Sequence, residues 1–191
     1  MWAPLYDLVV GRFDPLRRRA VEGLALRAGE RVLLVGAGTG ADLPHIPRGT
    51  TVVATDLTEA MLRRARVKAA AGMHLAVMDG HRLAVPAGAF DAALLHLILA
   101  VLPDPVSCLR EVARAVRPGG RVSVFDKFIR TDQPPLRLRL ANLVTSPLAT
   151  DLTRNFERLL AEARVPLRVE SDTPLALGGL FRAIVLRREN D

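Results

Sequence analysis

Short apolar runs of strand type alternate along the chain with stretches whose apolar residues recur at helical spacing. That alternation predicts parallel strands joined by crossover helices, an α/β fold. The first helix is expected to open at Asp14-Pro15, a capping acceptor followed by proline at the first helical position, with Leu16, Ala20, Val21 and Leu24 on one face. Strands are expected over 31–35, 51–55, 73–77, 90–95 and 121–125. The fourth is apolar on both faces, as a central strand covered on both sides must be. Thr58 is expected to cap a helix reaching Ala71 and ended by Gly72; Asp104-Pro105 opens another to Val116, closed by Arg117-Pro118-Gly119-Gly120. After Arg130 the pattern weakens, and the proline- and leucine-rich stretch 131–150 reads as a variable insertion on the substrate side. A helix over about 151–163 and strands over 167–171 and 181–187, joined through Gly178-Gly179, complete the chain. Such a close strand pair predicts an antiparallel last strand. The expected whole is one domain, 1–191: a doubly wound, mostly parallel sheet of about seven strands with helices on both faces.

Three glycines, Gly36, Gly38 and Gly40, follow directly on the first strand in VLLVGAGTGADLP, 32–44. A glycine turn at a strand's carboxyl end holds a ligand against bare backbone. It is not a nucleotide phosphate loop, because Gly40, Ala41 and Asp42 stand where Gly-Lys-Ser/Thr is needed. A dinucleotide remains open on these residues alone: Gly36 to Ala41 fits G-x-G-x-x-G/A, and Asp56 ends the second strand where a carboxylate binds ribose hydroxyls. A nicotinamide-dependent oxidoreductase is therefore one alternative.

The remaining motifs separate the readings. The glycine turn, the acidic end of the second strand (Val52 to Asp56), Met78-Asp79-Gly80 after the third, Phe90-Asp91 opening the fourth and Arg117-Pro118-Gly119-Gly120 before the fifth together resemble the class I S-adenosylmethionine-dependent methyltransferases. The resemblance covers almost the whole chain and implies a Rossmann-like fold. Tyr6 to Val9, Gly38 to Pro44, Leu95 to Pro105 and Phe125 to Phe128 look most like the small bacterial phosphatidylethanolamine N-methyltransferases and ubiquinone/menaquinone biosynthesis methyltransferases. It implies S-adenosylmethionine as cofactor, S-adenosylhomocysteine as product, and methyl transfer to a small-molecule or lipid-like acceptor by in-line displacement. On the same footing Val35, Gly36, Ala37, Gly38 and Gly40 lie against the cofactor and Asp56 accepts its ribose hydroxyls. Leu57 and Met61 flank the adenine, while Asp79, Gly80 and His81 line its edge. One departure is Leu34, where the family usually carries an acid two residues before the first glycine; with no obvious base, it keeps a non-catalytic S-adenosylmethionine-binding protein as a second alternative.

Candidates for chemistry lie at the strand ends. His96, after the fourth strand, is expected at the cofactor and is the one candidate proton acceptor. Tyr6, Lys127 and Phe128 are expected on the substrate side. The Asn/Asp-Pro-Pro-Tyr/Phe signature of DNA-adenine and protein-glutamine methylation is absent, with Leu95-His96-Leu97-Ile98-Leu99 in its place. Residues 1–27 read as a lid or cap; Trp2, Tyr6, Leu8, Val9 and Phe13 cover the cofactor, or with 136–140 rest on an anionic membrane surface as a lipid substrate requires.

Composition changes the picture little. With 50% hydrophobic and 25% charged residues the chain is globular rather than disordered. The apolar run 92–102 is interrupted by His96 and falls short of the roughly 20 residues a spanning helix needs. No secretion signal is evident, so a cytoplasmic location is expected, with peripheral membrane contact compatible. The net charge of +7 comes almost wholly from dispersed arginines, without a long basic tract or aromatic residues for base stacking, so no nucleic-acid partner is expected. Cys108 is the single cysteine, which excludes an internal disulfide, and His45, His74 and His81 lack ligand spacing; no metal is expected.

Overall fold

The computed structural model describes residues 13–130 and 153–190. Residues 1–12 of the expected lid 1–27, Tyr6 among them, and the expected insertion 131–150 lie outside the described residues. Seven strands form one sheet: β1 (Arg31–Val35), β2 (Thr51–Asp56), β3 (Met73–Val77), β4 (Phe90–His96), β5 (Val116–Lys127), β6 (Leu167–Ala176) and β7 (Phe181–Arg188), in the order β3-β2-β1-β4-β5-β7-β6. The first five are mutually parallel, and β7 runs antiparallel to both β5 and β6. The order reverses between β1 and β4, so a crevice opens beyond their carboxyl ends.

Period-two alternation fills both faces. Leu33 and Val35 of β1 enter one core with Leu109 and Val112 of α3 (Pro105–Ala115) and Phe156 of α4 (Phe156–Ala163). Val32 and Leu34 enter the other, with Val21 of α1 (Asp14–Glu22), Leu62 of α2 (Glu59–Ala65), and Leu24. Each such side chain contributes about 1.5–3 kcal/mol on full burial. That is why β1 and β4 tolerate almost nothing polar.

Local differences from the sequence expectation have physical causes. Asp14 begins α1 but does not cap it; its carboxylate instead lies 2.9 Å from His45 Nε2. Thr58 occupies the cap position of α2 without a side-chain bond, and the helix ends at Ala65 rather than Ala71, followed by a single 3-10 turn. Gly72, at φ +83°, serves the turn into β3. Asp104 does cap α3, accepting from Ser107 N at 3.0 Å. The segment Arg117 to Gly120 is part of β5: a Cβ on Gly120 would lie 2.8 Å from the Asp91 carbonyl oxygen, so glycine lets the backbones close there. The start of α4 is Phe156 rather than 151, because Asn155 caps it through Arg158 N at 2.9 Å.

Candidate active site

At the carboxyl end of β1 the three glycines take left-handed backbone, with φ +71°, +54° and +72° at Gly36, Gly38 and Gly40. Only glycine adopts this conformation cheaply at successive alternate positions. The turn is tied to β2 twice: Ala37 N donates to Thr55 O at 2.8 Å, and Gly38 N donates to Asp56 Oδ2 at 2.8 Å. The other Asp56 oxygen accepts from Thr58 N at 2.9 Å. One half-buried carboxylate thus joins the turn to the start of α2. It remains acceptor-only, with lone pairs beyond those two bonds.

Asp79, after β3, accepts from His81 N at 2.9 Å and lies 2.6 Å from His81 Nδ1 on the same oxygen. The backbone bond from His81, then the ring bond, hold its carboxyl below the usual carboxylate value. Leu57 is 69% exposed, while Met61 is half-buried one turn along α2. Gly80 packs beside Val35, where an added Cβ would sit 3.2 Å from Cγ1.

The three glycines differ in what surrounds them. A Cβ on Gly36 would lie 2.6 Å from Ile98 Cδ1, and one on Gly40 would lie 2.9 Å from Ala65 Cβ. On Gly38 it would meet nothing within 4 Å. Gly38 therefore faces open space while its neighbours are packed. Together with exposed Leu57 and the buried His81 Nε2, which has no hydrogen-bond partner among the described residues, this fits a ligand lying along the turn toward β2 and β3.

On the other side of the turn the picture reverses. Asp42 is 2% exposed; its Oδ2 pairs with Arg17 Nη1 and its Oδ1 lies 2.6 Å from His96 Nδ1. His96 Nε2 lies 2.9 Å from Ser123 Oγ, which donates to Ala20 O at 3.1 Å. Burial works to raise the Asp42 carboxyl, but the His96 charge and hydrogen bond, with Arg17 and His45, hold it below its usual value. The order Ser123–His96–Asp42 is that of a hydrolytic triad. Yet Ser123 is 0% exposed, so no acyl group reaches it.

His96, expected as a base, therefore has neither ring nitrogen free. Phe128, expected on the substrate side, is 1% exposed and packs against Phe156 with ring centroids 5.2 Å apart and planes tilted by 54°, because β5 carries it past the crevice into the core. Lys127 is half-buried, its Nζ 3.6 Å from Asp126 Oδ1. Asp126 is fully buried and accepts from Ala100 N and Lys127 N, both at 2.9 Å; burial raises its carboxyl, with Lys127 opposing. Leu34 is 0% exposed within the apolar core, so an acid there is replaced by packing. Cys108 is buried, its thiol pushed up to about 12 by burial. Among the described residues no cluster of three or more His, Cys, Asp or Glu could hold a metal, and no helix is long and apolar enough to cross a membrane.

Sequence reasoning missed the Arg17–Asp42–His96–Ser123 network. A signal was present: Arg17, Ala20, Val21 and Leu24 follow the i, i+3, i+4, i+7 spacing, which places a guanidinium on the apolar face of α1. A charge at such a position needs a buried partner.

Residues 33–124 match the methyltransferase domain family. Over 194 aligned residues, 98% of this chain and 94% of the relative, it is 33% identical to a phosphatidylethanolamine N-methyltransferase of Cereibacter sphaeroides. A demethylmenaquinone methyltransferase of Corynebacterium kroppenstedtii is 35% identical over 63% of this chain and 54% of its own length. An S-adenosylmethionine-dependent methyltransferase from Mesorhizobium loti superposes with TM-score 0.67 over 89% of this chain and 96% of that one, at 20% identity. A seven-stranded sheet of this order, a glycine turn open at Gly38 and a relative matched along nearly its whole length agree: the chain belongs to the class I S-adenosylmethionine-dependent methyltransferases, with S-adenosylmethionine as its cofactor.

Proposed function

We propose that the methyl acceptor is a lipid-like molecule carrying an amine. The observation that carries this reading is the match to the Cereibacter sphaeroides phosphatidylethanolamine N-methyltransferase, which extends over 98% of the chain rather than over the cofactor-binding half alone. In this reading the adenosine lies on the open side of the turn. Asp56 accepts the ribose hydroxyls with the lone pairs left by Gly38 N and Thr58 N. Leu57 and Met61 cover the adenine faces, and Asp79, Gly80 and His81 read its edge, with the second Asp79 oxygen accepting the exocyclic amine. Val35, Gly36, Ala37, Gly38 and Gly40 present backbone to the remainder of the cofactor.

When bound, the cofactor supplies a sulfonium methyl whose leaving group needs no acid. The acceptor nitrogen would need a free lone pair to displace sulfur from the methyl carbon, and the proton it then sheds would pass to solvent at the mouth of the crevice. His96 does not take that proton, since Asp42 and Ser123 occupy both of its nitrogens. The chain's contribution is alignment and exclusion of water. Tyr6 and Lys127, the lid over 1–27 and the insertion over 131–150 are assigned to the acceptor side on sequence grounds, within a single domain.

The test is transfer from methyl-deuterated S-adenosylmethionine to phosphatidylethanolamine vesicles or to a demethylated quinone, read by mass spectrometry. Labelled monomethyl lipid supports the proposal. Label on the quinone alone, or on neither acceptor while S-adenosylhomocysteine still binds, overturns it.

A further inference from the structure

The turn after β4 is built from residues that cannot hold it by themselves. Leu97 takes left-handed backbone, φ +56°, which a residue with a Cβ keeps only where its surroundings fix it. Ile98 O accepts from both Val101 N and Leu102 N, at 3.0 and 3.1 Å, and closes the turn. The chain withholds donors from the next carbonyls. The N–H groups that a helical turn would offer Leu99 O four residues on and Leu102 O three residues on belong to Pro103 and Pro105, and proline has none. Leu99 is fully buried, so its carbonyl needs a partner from elsewhere.

Arg154 supplies that partner. Its Nη1 donates to Leu99 O at 2.5 Å and its Nη2 to Leu102 O at 2.7 Å, a planar fork spanning both carbonyls, while Asp126 Oδ2 accepts from Ala100 N between them at 2.9 Å. A guanidinium only donates and a carbonyl only accepts, so chemistry fixes the direction of both bonds. Arg154 is itself anchored: its carbonyl accepts from Ile129 N at 2.9 Å, and Asn155 pairs with Ile129 in a parallel bridge.

We infer that Arg154 is a positioning residue for the cofactor: it fixes the turn over 97–102 and so holds Ile98 against Gly36, the first glycine after β1. The inference rests on the reading that this glycine turn holds the cofactor. Ile98 Cδ1 and Cγ1 lie 2.6 and 2.7 Å from where a Gly36 Cβ would stand, so the side chain fills the space that glycine leaves. Ile98 O is the carbonyl around which the turn closes, and Leu102, at its far end, is gripped by Arg154 Nη2. Without the guanidinium a buried carbonyl loses its donor, and the turn relaxes to recover one, carrying Ile98 off Gly36. Gly36, at φ +71°, then lacks the wall that keeps its backbone in place, and the cofactor must order the turn as it binds.

The test is calorimetric titration of the full chain with S-adenosylhomocysteine, with thermal unfolding of each variant measured alongside. Arg110 provides a control of the same chemistry: its Nε and Nη2 donate to Ala163 O and Glu162 O, both at 3.1 Å, where α4 leads into β6 at the end of the sheet away from the crevice. Arg154→Ala is expected to lower affinity about five- to tenfold, and Arg154→Lys, which keeps the charge but not the fork, to lower it less. Arg110→Ala is expected to lose stability and keep the affinity of the wild type. On top of Ile98→Ala, Arg154→Ala is expected to lower affinity no further, because both changes break the same chain of contacts. Wild-type affinity in both Arg154 variants, an equal loss in Arg110→Ala, or a full additional loss on top of Ile98→Ala overturns the inference; Arg154→Lys decides it if Arg154→Ala does not fold. Gly38→Ala separates the inference from the reading beneath it. If Gly38→Ala binds as the wild type does, the turn is not the cofactor's and both fall; if it binds weakly while the Arg154 variants bind normally, the positioning role alone falls.

Discussion

Two aspartates flank the same glycine turn, both of their oxygens are engaged, and they do opposite things. Asp42 is sealed at 2% exposure and answers two side chains, Arg17 and His96; Asp56 is half-buried and answers two backbone N–H groups. The partners explain the division. Backbone donors take one lone pair per oxygen and leave the carboxylate half-buried, whereas a guanidinium and a histidine ring in the interior enclose it. Identity of residue type says little about role at such a site. The surroundings decide which carboxylate is sealed under the turn and which stays half-buried at its edge.

The comparison breaks most visibly at Asp42. Asp42→Ala leaves the Arg17 guanidinium buried without a counter-charge and His96 Nδ1 without its partner, so a loss of about 3–5 kcal/mol in urea or thermal unfolding is expected. Against a total of about 5–15 kcal/mol that is enough to unfold much of the protein. A loss below about 1 kcal/mol would mean that the network braces nothing. The pH dependence has a definite sign. The folded Asp42 carboxyl lies below its ordinary value of 3.8, so its contribution is complete above that value and is lost as acid titrates the folded group. The wild type's advantage over Asp42→Asn should therefore be largest at neutral pH and shrink below about pH 4.

Gly36 and Gly38 carry the contrast into the turn itself. Gly36→Ala meets both a backbone at φ +71° and Ile98 at 2.6 Å, and should cost about 2–4 kcal/mol of stability. Gly38→Ala has φ +54° but no neighbour within 4 Å, so only the backbone strain of about 1 kcal/mol is expected. Its larger effect should be on S-adenosylhomocysteine binding, because the new methyl enters the crevice. Equal stability losses in the two variants would show that the turn is uniformly packed.

How much of this was legible beforehand follows the same division. The sheet could be read because Val32 to Val35 and Ala92 to Leu95 are apolar on both faces, and a covered parallel strand leaves no other choice. Asp56 and the glycine turn could be recognised as candidates because their spacing is local. The burial of His96 and Phe128 could not be read, because position at a strand end does not say which way the chain then turns. Leu97, at φ +56°, and the continuation of β5 to Lys127 decide that, and both depend on long-range pairing. Asp42 could not be read at all without Arg17, 25 residues earlier, which lies beside it only once α1 packs on the turn.

On the open side the expected effects are smaller in stability and larger in binding. Asp56→Asn replaces two acceptor oxygens by one oxygen and one NH2, which must face either Gly38 N or Thr58 N. About 1–2 kcal/mol of stability should be lost with one bond and its replacement repulsion. S-adenosylhomocysteine affinity, by calorimetry, should fall at least about tenfold, the size of one charged hydrogen bond. Unchanged affinity would remove Asp56 from the cofactor site and leave it a brace like Asp42.

The smallest effect sharpens the comparison from the outside. Glu59 and Arg63 of α2 form an ion pair at 2.9 Å, one helical turn apart, with side chains 70% and 65% exposed. In chemistry it matches Arg17–Asp42. Water solvates both partners when the pair breaks, however, and two long side chains must be ordered to make it. Glu59→Gln should cost no more than about 0.5 kcal/mol, including the loss of a negative charge in the first turn of the helix. Raising the salt concentration should erase most of that difference, since exposed charges are screened over about 8–10 Å. The Asp42→Ala penalty should survive the same salt, because no counter-ion reaches a pair that is 8% and 2% exposed. If added salt diminished both penalties alike, solvent would have to reach Asp42, and the division between a sealed brace and a presented carboxylate would fail.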